Sequence, residues 1–516
     1  MKSRTVSIWT KAPFARIAFL VILGIGFAQL FPDGKKYWIL AAVGCLSLLL
    51  SRVGRLRNAY SLRHWSGTLN ASALVLLMAT YVSSQKSTVA SIHDPEDSFY
   101  AIDCLSAPSE TSKNWKIEGQ IESASHCGSK VLIYFKKPCK PPTVGDMAIV
   151  QCKFSSPDSC EFLEQGYIDF LKQKEIAGLA FGASAVYSIA SRKGLTFYSE
   201  NIRSYLVSEL EKHNIKGDAL AIICAMTLGT KEHLDDDLRQ SYASSGAIHI
   251  LAVSGLHVGI VYLLLSRLLR SMLRRNRFKL YTLAFILIVL WIYAFLTGLS
   301  PSVLRACTMF SFLAIGRISE RPTNIYNTLA ASAVFLLILE PKLLFSLSFQ
   351  LSYLAVFGIV YLQPRIFRWI YVQNRILRWF WEITAASLAA QIATFPMSLH
   401  YFGQFPNYFI LTNWIAIPLA TSILVLGLSF FLFHWTPWIS DGIAWQLKSL
   451  TDLLNWGIRG IESLPGSLTQ GINCSFEASI FIYITLGVLL MWLETKKAIH
   501  LKRLFILCIV GVLVSS

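Results

Sequence analysis

Long apolar runs, separated mostly by short polar segments, dominate the chain. The runs reach roughly 15–25 residues, close to the ~20 that a helix needs to cross a ~30 Å hydrocarbon core. The alternating pattern of a membrane barrel is absent, so we predict an all-α polytopic membrane protein with about 13 transmembrane helices. The predicted spans are residues 14–31, 37–50, 67–82, 247–268, 280–298, 303–318, 325–339, 343–362, 381–400, 408–433, 444–463, 477–493 and 503–514.

One long polar stretch interrupts this pattern and predicts a small β domain. Its strand-like segments alternate apolar and polar residues between Gly, Pro or polar breaks. These segments are 115–121, 130–135 and 146–152, and a helix is predicted over 161–176. The chain is therefore divided into N-terminal transmembrane helices (1–82), the β domain (83–195), amphipathic connecting helices (196–245), a main membrane domain (246–435) and C-terminal transmembrane helices (436–516).

The charged residues set the predicted orientation. The chain has 47 Lys and Arg against 30 Asp and Glu, a net charge of +17, and only 15% of its residues are charged. Basic clusters occupy short loops between spans, which the positive-inside rule assigns to the cytoplasm. The clusters lie at 52–63, 267–279, 365–378 and 496–503. The N-terminus is then cytoplasmic and the β domain extracytoplasmic, so topology rather than nucleic-acid binding explains most of the basic charge.

Cysteines are concentrated in the predicted outer domain. Such density suits an oxidising compartment, where disulfides stabilise small cores. The disulfide candidates are Cys104, Cys127, Cys139, Cys152, Cys160 and, in an outer loop, Cys474. Two internal bridges plus one to Cys474, or one free thiol, both remain open. No Cys-x-x-Cys pair occurs, so no metal site is predicted.

The predicted span 247–268 carries polar groups that lipid-facing helices avoid. His249, Ser254 and His257 lie in it, and Gly255 and Gly259 favour close approach of a second helix. On a continuous helix the two histidines would be about 12 Å apart, too far to share one ion. No acidic residue is near enough in sequence to orient His257, which argues against a hydrolytic Ser254–His257 pair.

Several blocks of the sequence resemble the ComEC competence family in order and spacing, over roughly residues 30–435. The blocks are 227–258, 296–306, 347–358, 387–396, 401–403 and 413–418. The resemblance implies a bacterial inner-membrane channel that passes single-stranded DNA into the cytoplasm during natural transformation. It also implies that the outer β domain is OB-like.

The resemblance also suggests which residues line the DNA path. We expect these to be His249, Ser254, Gly255, His257, Gly259, Arg305, Gln350, Gln391 and Asn413. Arg305 follows 300–302, where a helix break could expose backbone amides to an anion, although it could instead snorkel or pair with Glu382. Interhelical hydrogen bonding is an equally good explanation for Gln350, Gln391 and Asn413.

Two absent motifs shape the functional prediction. The chain departs from many members of the family in lacking the His-x-His-x-Asp-His motif of a C-terminal metallo-β-lactamase-like domain. It also has no ATP-binding Gly-x-x-x-x-Gly-Lys-[Ser/Thr] loop. We therefore expect no enzymatic activity, cofactor or metal, and a need for a cytoplasmic translocase and a periplasmic DNA receptor besides DNA and membrane lipid. Homo-oligomerisation is left open. The alternatives are a transporter of another anionic polymer or lipid, and an intramembrane hydrolase using Ser254 and His257.

Overall fold

The fold is known from a computed structural model that describes most of the chain. The described residues are 13–30, 63–84, 92, 94–106, 108–110, 114–123, 126–137, 142, 144–160, 163, 167–168, 171–172, 174–191, 194–230, 232–318, 324–496, 498–499 and 503. The predicted span 37–50 and all but the first residue of 503–514 lie outside them.

Helices make up most of the described chain. They are α1 (Pro13–Leu30), α2 (Arg63–Ser84), α3 (Leu195–Lys212), α4 (Gly217–Thr227), α5 (Asp236–Ser244), α6 (Gly255–Leu268), α7 (Arg270–Leu273), α8 (Asn276–Leu296), α9 (Pro301–Ile318), α10 (Ile325–Leu339), α11 (Leu347–Phe367), α12 (Arg375–Phe402), α13 (Phe409–Phe433), α14 (Pro437–Glu462) and α15 (Phe476–Thr495). Within the described residues, four helices are long and apolar enough to cross a membrane, namely α8, α11, α13 and α15. The predicted number of about 13 is not confirmed.

Two predicted spans need correction. The segment 247–268 is not one helix, because a 3-10 turn at Ile248–Ile250 and a bend precede α6, which begins at Gly255. The predicted span 343–362 begins too early, because a 3-10 turn occupies Pro341–Phe345 and α11 begins only at Leu347. Polar residues that compete for backbone hydrogen bonds interrupt the helix at both places.

The predicted span 444–463 corresponds to α14, which is strongly amphipathic. Leu447, Leu454 and Ile458 are buried on one side, whereas Trp445 and Trp456 are exposed on the other. Its polar residues keep it outside the four candidate spans described above.

The predicted β domain is a closed β-barrel. Its strands are β1 (Asp94–Cys104), β2 (Ser109–Glu110), β3 (Asn114–Ile121), β4 (Lys130–Lys136), β5 (Asp146–Phe154) and β6 (Ile176–Ser191). The order β1-β5-β6-β4-β3-β2, together with direct β1–β3 pairing, closes a ring of five long strands. Only the β4–β6 pair is parallel among the described strands. The three predicted strands are confirmed within two residues, whereas β1 and β6 were not predicted. Of the predicted helix 161–176, the described residues 167, 168, 171 and 172 are helical, and 176 begins β6.

Inward residues of the barrel strands form its apolar core. β3 alternates buried and partly exposed residues, with Ile117 and Ile121 inside, as a strand over a core requires. Cys104 and Cys152 belong to the same buried cluster, and burial raises the pKa of each thiol to about 12. They therefore act as small apolar side chains.

The structure does not support the predicted disulfides. Cys104, Cys127, Cys152, Cys160 and Cys474 are all free thiols, and Cys139 lies outside the described residues. Cys104 and Cys152 are on neighbouring strands but out of register, since Cys152 faces Ser98 and β1 reaches Cys104 only six residues later. A bridge between these two would need a much closer approach of their Cα atoms.

The chain divides into two compact units. The first comprises residues 1–212, 230–232 and 261–346, and contains the barrel, α1–α3 and α8–α10. The second comprises residues 213–229, 233–260 and 347–516, and contains α4, α5 and α11–α15. The domain boundaries at 195, 245 and 435 stay predictions.

Helix α4 is a core element of the second unit rather than an amphipathic connecting helix. Every residue from Ala219 to Thr227 is buried. A Cβ on Gly427 of α13 would lie 2.6 Å from the Thr227 methyl, so only glycine permits this helix contact. An apolar helix buried on all sides needs no polar face, which is why its sequence pattern misled the prediction.

Candidate functional site

Helix α6 begins at a capping box in which histidine replaces the usual Glu or Gln. The Ser254 N–H donates to His257 Nδ1 at 3.0 Å, and the Ser254 hydroxyl lies 2.9 Å from the same nitrogen. The Leu256 N–H donates to Ser254 Oγ at 3.2 Å. Ser254 is thus the N-cap and His257 the N3 residue, which reaches back to the N-cap amide. The i, i+3 spacing of this pair therefore has a structural explanation.

The break before α6 brings both predicted histidines to one cavity. His249 Nδ1 lies 3.1 Å from the Gly246 carbonyl, to which it must donate. A cavity of about 20 Å³, room for about one water molecule, is lined by His249, Ser254 and His257. Residues Ile417 and Thr421 of α13 close it from the other side. The 12 Å estimate applied to a continuous helix, and the helix is not continuous here.

In the neutral form of both rings, the hydrogen bonds assign complementary tautomers to the two histidines. His257 accepts at Nδ1, so its proton is on Nε2, whereas His249 donates from Nδ1 and keeps a lone pair on Nε2. One ring can donate to a polar group and the other can accept from it. The described residues contain no group of three or more His, Cys, Asp and Glu side chains able to hold a metal ion. The arrangement suits hydrogen bonding to a passing polar group.

Buried hydrogen bonds fix the segment that leads into the break. The Tyr242 hydroxyl donates to Asn455 Oδ1 of α14 at 2.8 Å, and Thr412 of α13 donates to the Ser245 carbonyl at 2.7 Å. Gly246 adopts a left-handed φ of 86°, and a Cβ there would lie 3.0 Å from the Pro406 ring. A side chain at residue 246 would be both strained and crowded. The break is therefore held rigidly between α13 and α14.

The sequence reasoning missed most of these anchors. Tyr242, Asn455 and Thr421 come from segments far apart in the chain, and no local pattern pairs them. A Ser followed three residues later by a side chain that can accept a hydrogen bond was the one local signal for the helix start at Gly255.

The remaining predicted path residues are dispersed. Asn413 of α13 is buried and donates to Ser387 of α12 at 3.0 Å, which is the interhelical bond considered from sequence. Gln350 on α11 and Gln391 on α12 are partly buried. Gly259 lies within α6 and Gly255 is its first residue.

Arg305 belongs to the other compact unit. It lies on α9, which starts at Pro301 after a turn in which Leu299 has a φ of 51°. The predicted helix break before it is therefore confirmed. The Arg305 side chain is only 5% exposed, so it does not snorkel to a surface.

The barrel carries a second group of polar and aromatic residues, here called the aromatic face. It consists of Lys116, Tyr134, Tyr167 and Phe181. The Tyr134 and Phe181 rings stack with centroids 4.9 Å apart, and Phe181 is 45% exposed. Lys116 Nζ donates to the Tyr167 hydroxyl at 3.1 Å and lies 6.0 Å from the Tyr134 ring centroid. Stacked rings beside an ammonium group are suited to bind bases and phosphates together.

Comparisons with known proteins match the helical part of the chain. A family model described as Competence protein matches residues 226–496. The chain is 30% identical over 248 residues to ComE operon protein 3 of Bacillus subtilis (strain 168), covering 47% of this chain and 30% of that protein. It is 25% identical over 295 residues to Recombination protein 2 of Haemophilus influenzae, covering 55% of this chain and 36% of that protein.

These alignments leave much of the relatives unmatched. The chain spans about a third of the length of these two proteins. No solved structure matches the chain. The matched residues 226–496 include the helix break and the α12–α14 helices around it.

Proposed function

The chain belongs to the Competence protein family, and from this premise we propose that it conducts single-stranded DNA across a bacterial inner membrane during natural transformation. The observation that carries the proposal is the family match over 226–496, which includes the helix break. Four described helices able to cross a membrane support a membrane location. We further propose a cytoplasmic N-terminus, as the basic loop clusters indicate.

The polar groups at the break support a conduit. Irregular backbone inside a membrane protein is tolerated where it is buried in protein or lines a polar cavity. His249 and His257 offer a hydrogen-bond acceptor and a donor to the same small cavity. The capping box fixes the first amides of α6, the end at which a helix attracts anions. We propose that this region forms part of the wall of the DNA path.

We propose that the outer barrel is OB-like and contacts the strand. The ring order, with one parallel pair between β4 and β6, supports that topology. OB-folds bind oligonucleotides on the face of their second and third strands. In this barrel those strands are β3 and β4, which carry Lys116 and Tyr134 of the aromatic face.

Ser254 and His257 are proposed to be structural rather than catalytic. The Ser254 hydroxyl accepts a backbone hydrogen bond, and His257 Nδ1 is used by the N-cap. A nucleophile and its base would need an orienting acid, and the cavity is lined otherwise by His249, Thr421 and apolar residues, none of which is an acid. We therefore propose that the protein is not a hydrolase.

We propose that partner proteins supply the energy for transport and deliver the DNA strand. The sequence has no Gly-x-x-x-x-Gly-Lys-[Ser/Thr] loop, so a cytoplasmic translocase would pull the strand and a periplasmic receptor would present it. Membrane lipid surrounds the helices, and self-association is an open part of the proposal.

Uptake of labelled DNA tests the proposal. Deleting the gene in a competent host is expected to abolish cytoplasmic label while surface-bound DNA remains. Restoring the gene should restore entry. Unchanged entry in the deletion strain would contradict the proposal. Transport of an anionic polymer or lipid, but not DNA, into proteoliposomes would favour the alternative substrate class.

A further inference from the structure

A charged cleft lies between the barrel and the turn that follows α10. Its volume is about 600 Å³. The charged cleft is lined by three lysines and three glutamates, namely Glu118, Lys130, Lys174, Glu175, Glu340 and Lys342. All belong to the first compact unit. None of these residues has a role in the proposed conduction path.

Two lysines from distant segments converge on one carboxylate in this cleft. Lys342 Nζ donates to Glu175 Oε1, and Lys130 Nζ lies 3.9 Å from Glu175 Oε2. A separate pair joins Lys174 to Glu118 at 2.5 Å. The Lys130 and Lys342 side chains are 48% and 45% exposed, so an external ligand can reach both.

Glu175 is held in an unusual conformation. Its φ is 60°, in the left-handed region where residues other than glycine are uncommon. The hydrogen bond from Lys342 holds the pKa of the Glu175 carboxyl below its ordinary value, so the group stays an anion. Backbone strain kept at an exposed ion pair is a reason to look for a function there.

We propose that Lys130 and Lys342 form a binding site for a phosphodiester of single-stranded DNA, and that Glu175 is a resident counter-ion which the phosphate displaces. This inference rests on the proposed function, because that function supplies the strand. A phosphodiester carries one negative charge, as the Glu175 carboxylate does, so the exchange keeps the local charge balanced. Exposed ion pairs are weak, which makes such an exchange feasible.

The position of the cleft favours a DNA strand over other phosphodiesters. Glu118 and Lys116 are two residues apart on β3 and point to the same side, as strand geometry requires. The register pairs Lys116 with Tyr134 and Gln120 with Lys130. The charged cleft and the aromatic face therefore lie on the same side of β3 and β4, separated by Leu132, which is buried against Leu171 and Tyr167. A strand stacked on Phe181 would cross this covered part to bring its backbone to Lys130.

The balance of charges predicts that the natural protein binds DNA weakly in the cleft and that neutralising Glu175 raises the affinity for DNA. Three lysines face three glutamates, so the intact cleft has little net attraction for a polyanion. A Glu175→Gln substitution keeps the side-chain shape and removes the competing charge. We expect it to tighten DNA binding about 3- to 10-fold at low salt, with the gain reduced as salt rises.

The test uses the full chain in nanodiscs and a fluorescein-labelled oligothymidylate of about 12 nucleotides, within the ~4–16 that one small barrel covers. Anisotropy is expected to show tighter binding for Glu175→Gln and about threefold weaker binding for Lys342→Gln. The control is Glu122→Gln, at the end of β3, which removes a carboxylate outside the cleft and should change affinity less than about twofold.

Each other outcome overturns the proposal. Equal gains from Glu175→Gln and Glu122→Gln would show a general charge effect, while continued DNA uptake in cells would leave the conduit function standing. Stronger competition by soluble short-chain phosphatidylglycerol than by unlabelled oligonucleotide would assign the cleft to lipid. Absence of binding by every variant would also refute the site, and the separate uptake assay would then decide the proposed function.

Discussion

The helix break and the charged cleft are both polar, but they are built on opposite principles. The break joins polar groups without ion pairs through hydrogen bonds, and His257 at its centre is 3% exposed, whereas His249 is exposed. The cleft uses full charges, with Lys130 and Lys342 roughly half exposed and Glu175 29% exposed. Buried polar groups are costly to leave unpaired, whereas exposed ion pairs add little to stability. Substitutions at the break should therefore change folding stability, and substitutions in the cleft should change mainly binding.

The largest stability effect is expected for His257→Ala. This change removes the acceptor of the Ser254 N–H and should lower the free energy of unfolding by about 1–3 kcal/mol. The matched variant His257→Gln can still accept that bond, because Gln is a normal N3 residue of a capping box. Thermal unfolding in nanodiscs measures both. Equal losses for the two variants would contradict the capping role.

Tyr242→Phe should have the next largest effect. It leaves the buried Asn455 Oδ1 without the hydroxyl that now donates to it, at a cost of about 1–2 kcal/mol. The double variant Tyr242→Phe/Asn455→Leu should recover part of this loss, since it removes both polar partners. Denaturant unfolding of the three proteins checks the prediction. A double variant less stable than the sum of both single changes would refute it.

Ser254→Ala should cost about 1 kcal/mol through loss of the N-cap. Ser254→Asn restores a cap acceptor but neither a hydroxyl nucleophile nor a charge, and should recover most of the stability. DNA uptake should follow stability in both variants. Complete loss of uptake in a stably folded Ser254→Asn protein would instead favour chemistry at the hydroxyl.

The smallest effect concerns pH dependence in the cleft. The pKa of Glu175 is lowered from 4.5 in the folded protein. The ion pair with Lys342 is therefore fully present above pH 4.5 and is lost only as the pH falls through the lowered pKa of the folded state. The protection factors of the amides at residues 341–345, which are hydrogen-exchange rates divided into the intrinsic rates at the same pH, should therefore change little from pH 7 to pH 5. The same segment in Glu175→Gln should already exchange faster at neutral pH. A transition near pH 6 in the natural protein would contradict this assignment.

Elements with a strong local apolar pattern could be predicted from the sequence, whereas contacts between distant segments could not. Apolar periodicity located α10 to the residue and α13 within one residue, because burial in a bilayer or core leaves a strong local signal. The break at 251–254 was not predicted, since Ser254 is its single polar residue and the other three are as apolar as those of a span. The cavity partners on α13 depend on tertiary contacts. The pairing of Lys130 with Glu175 likewise depends on the barrel register, which no sequence window contains.

Photo-crosslinking during DNA uptake tests the central claim most directly. A photoreactive amino acid replaces Leu256, which lines the cavity at the break, or Ile484 on α15, which is exposed and lines no part of it. The account predicts that irradiation of actively transforming cells yields a single-stranded DNA adduct from residue 256 and none from residue 484. Absence of an adduct at residue 256, or equal adducts at both residues, in cells that still import DNA would contradict it.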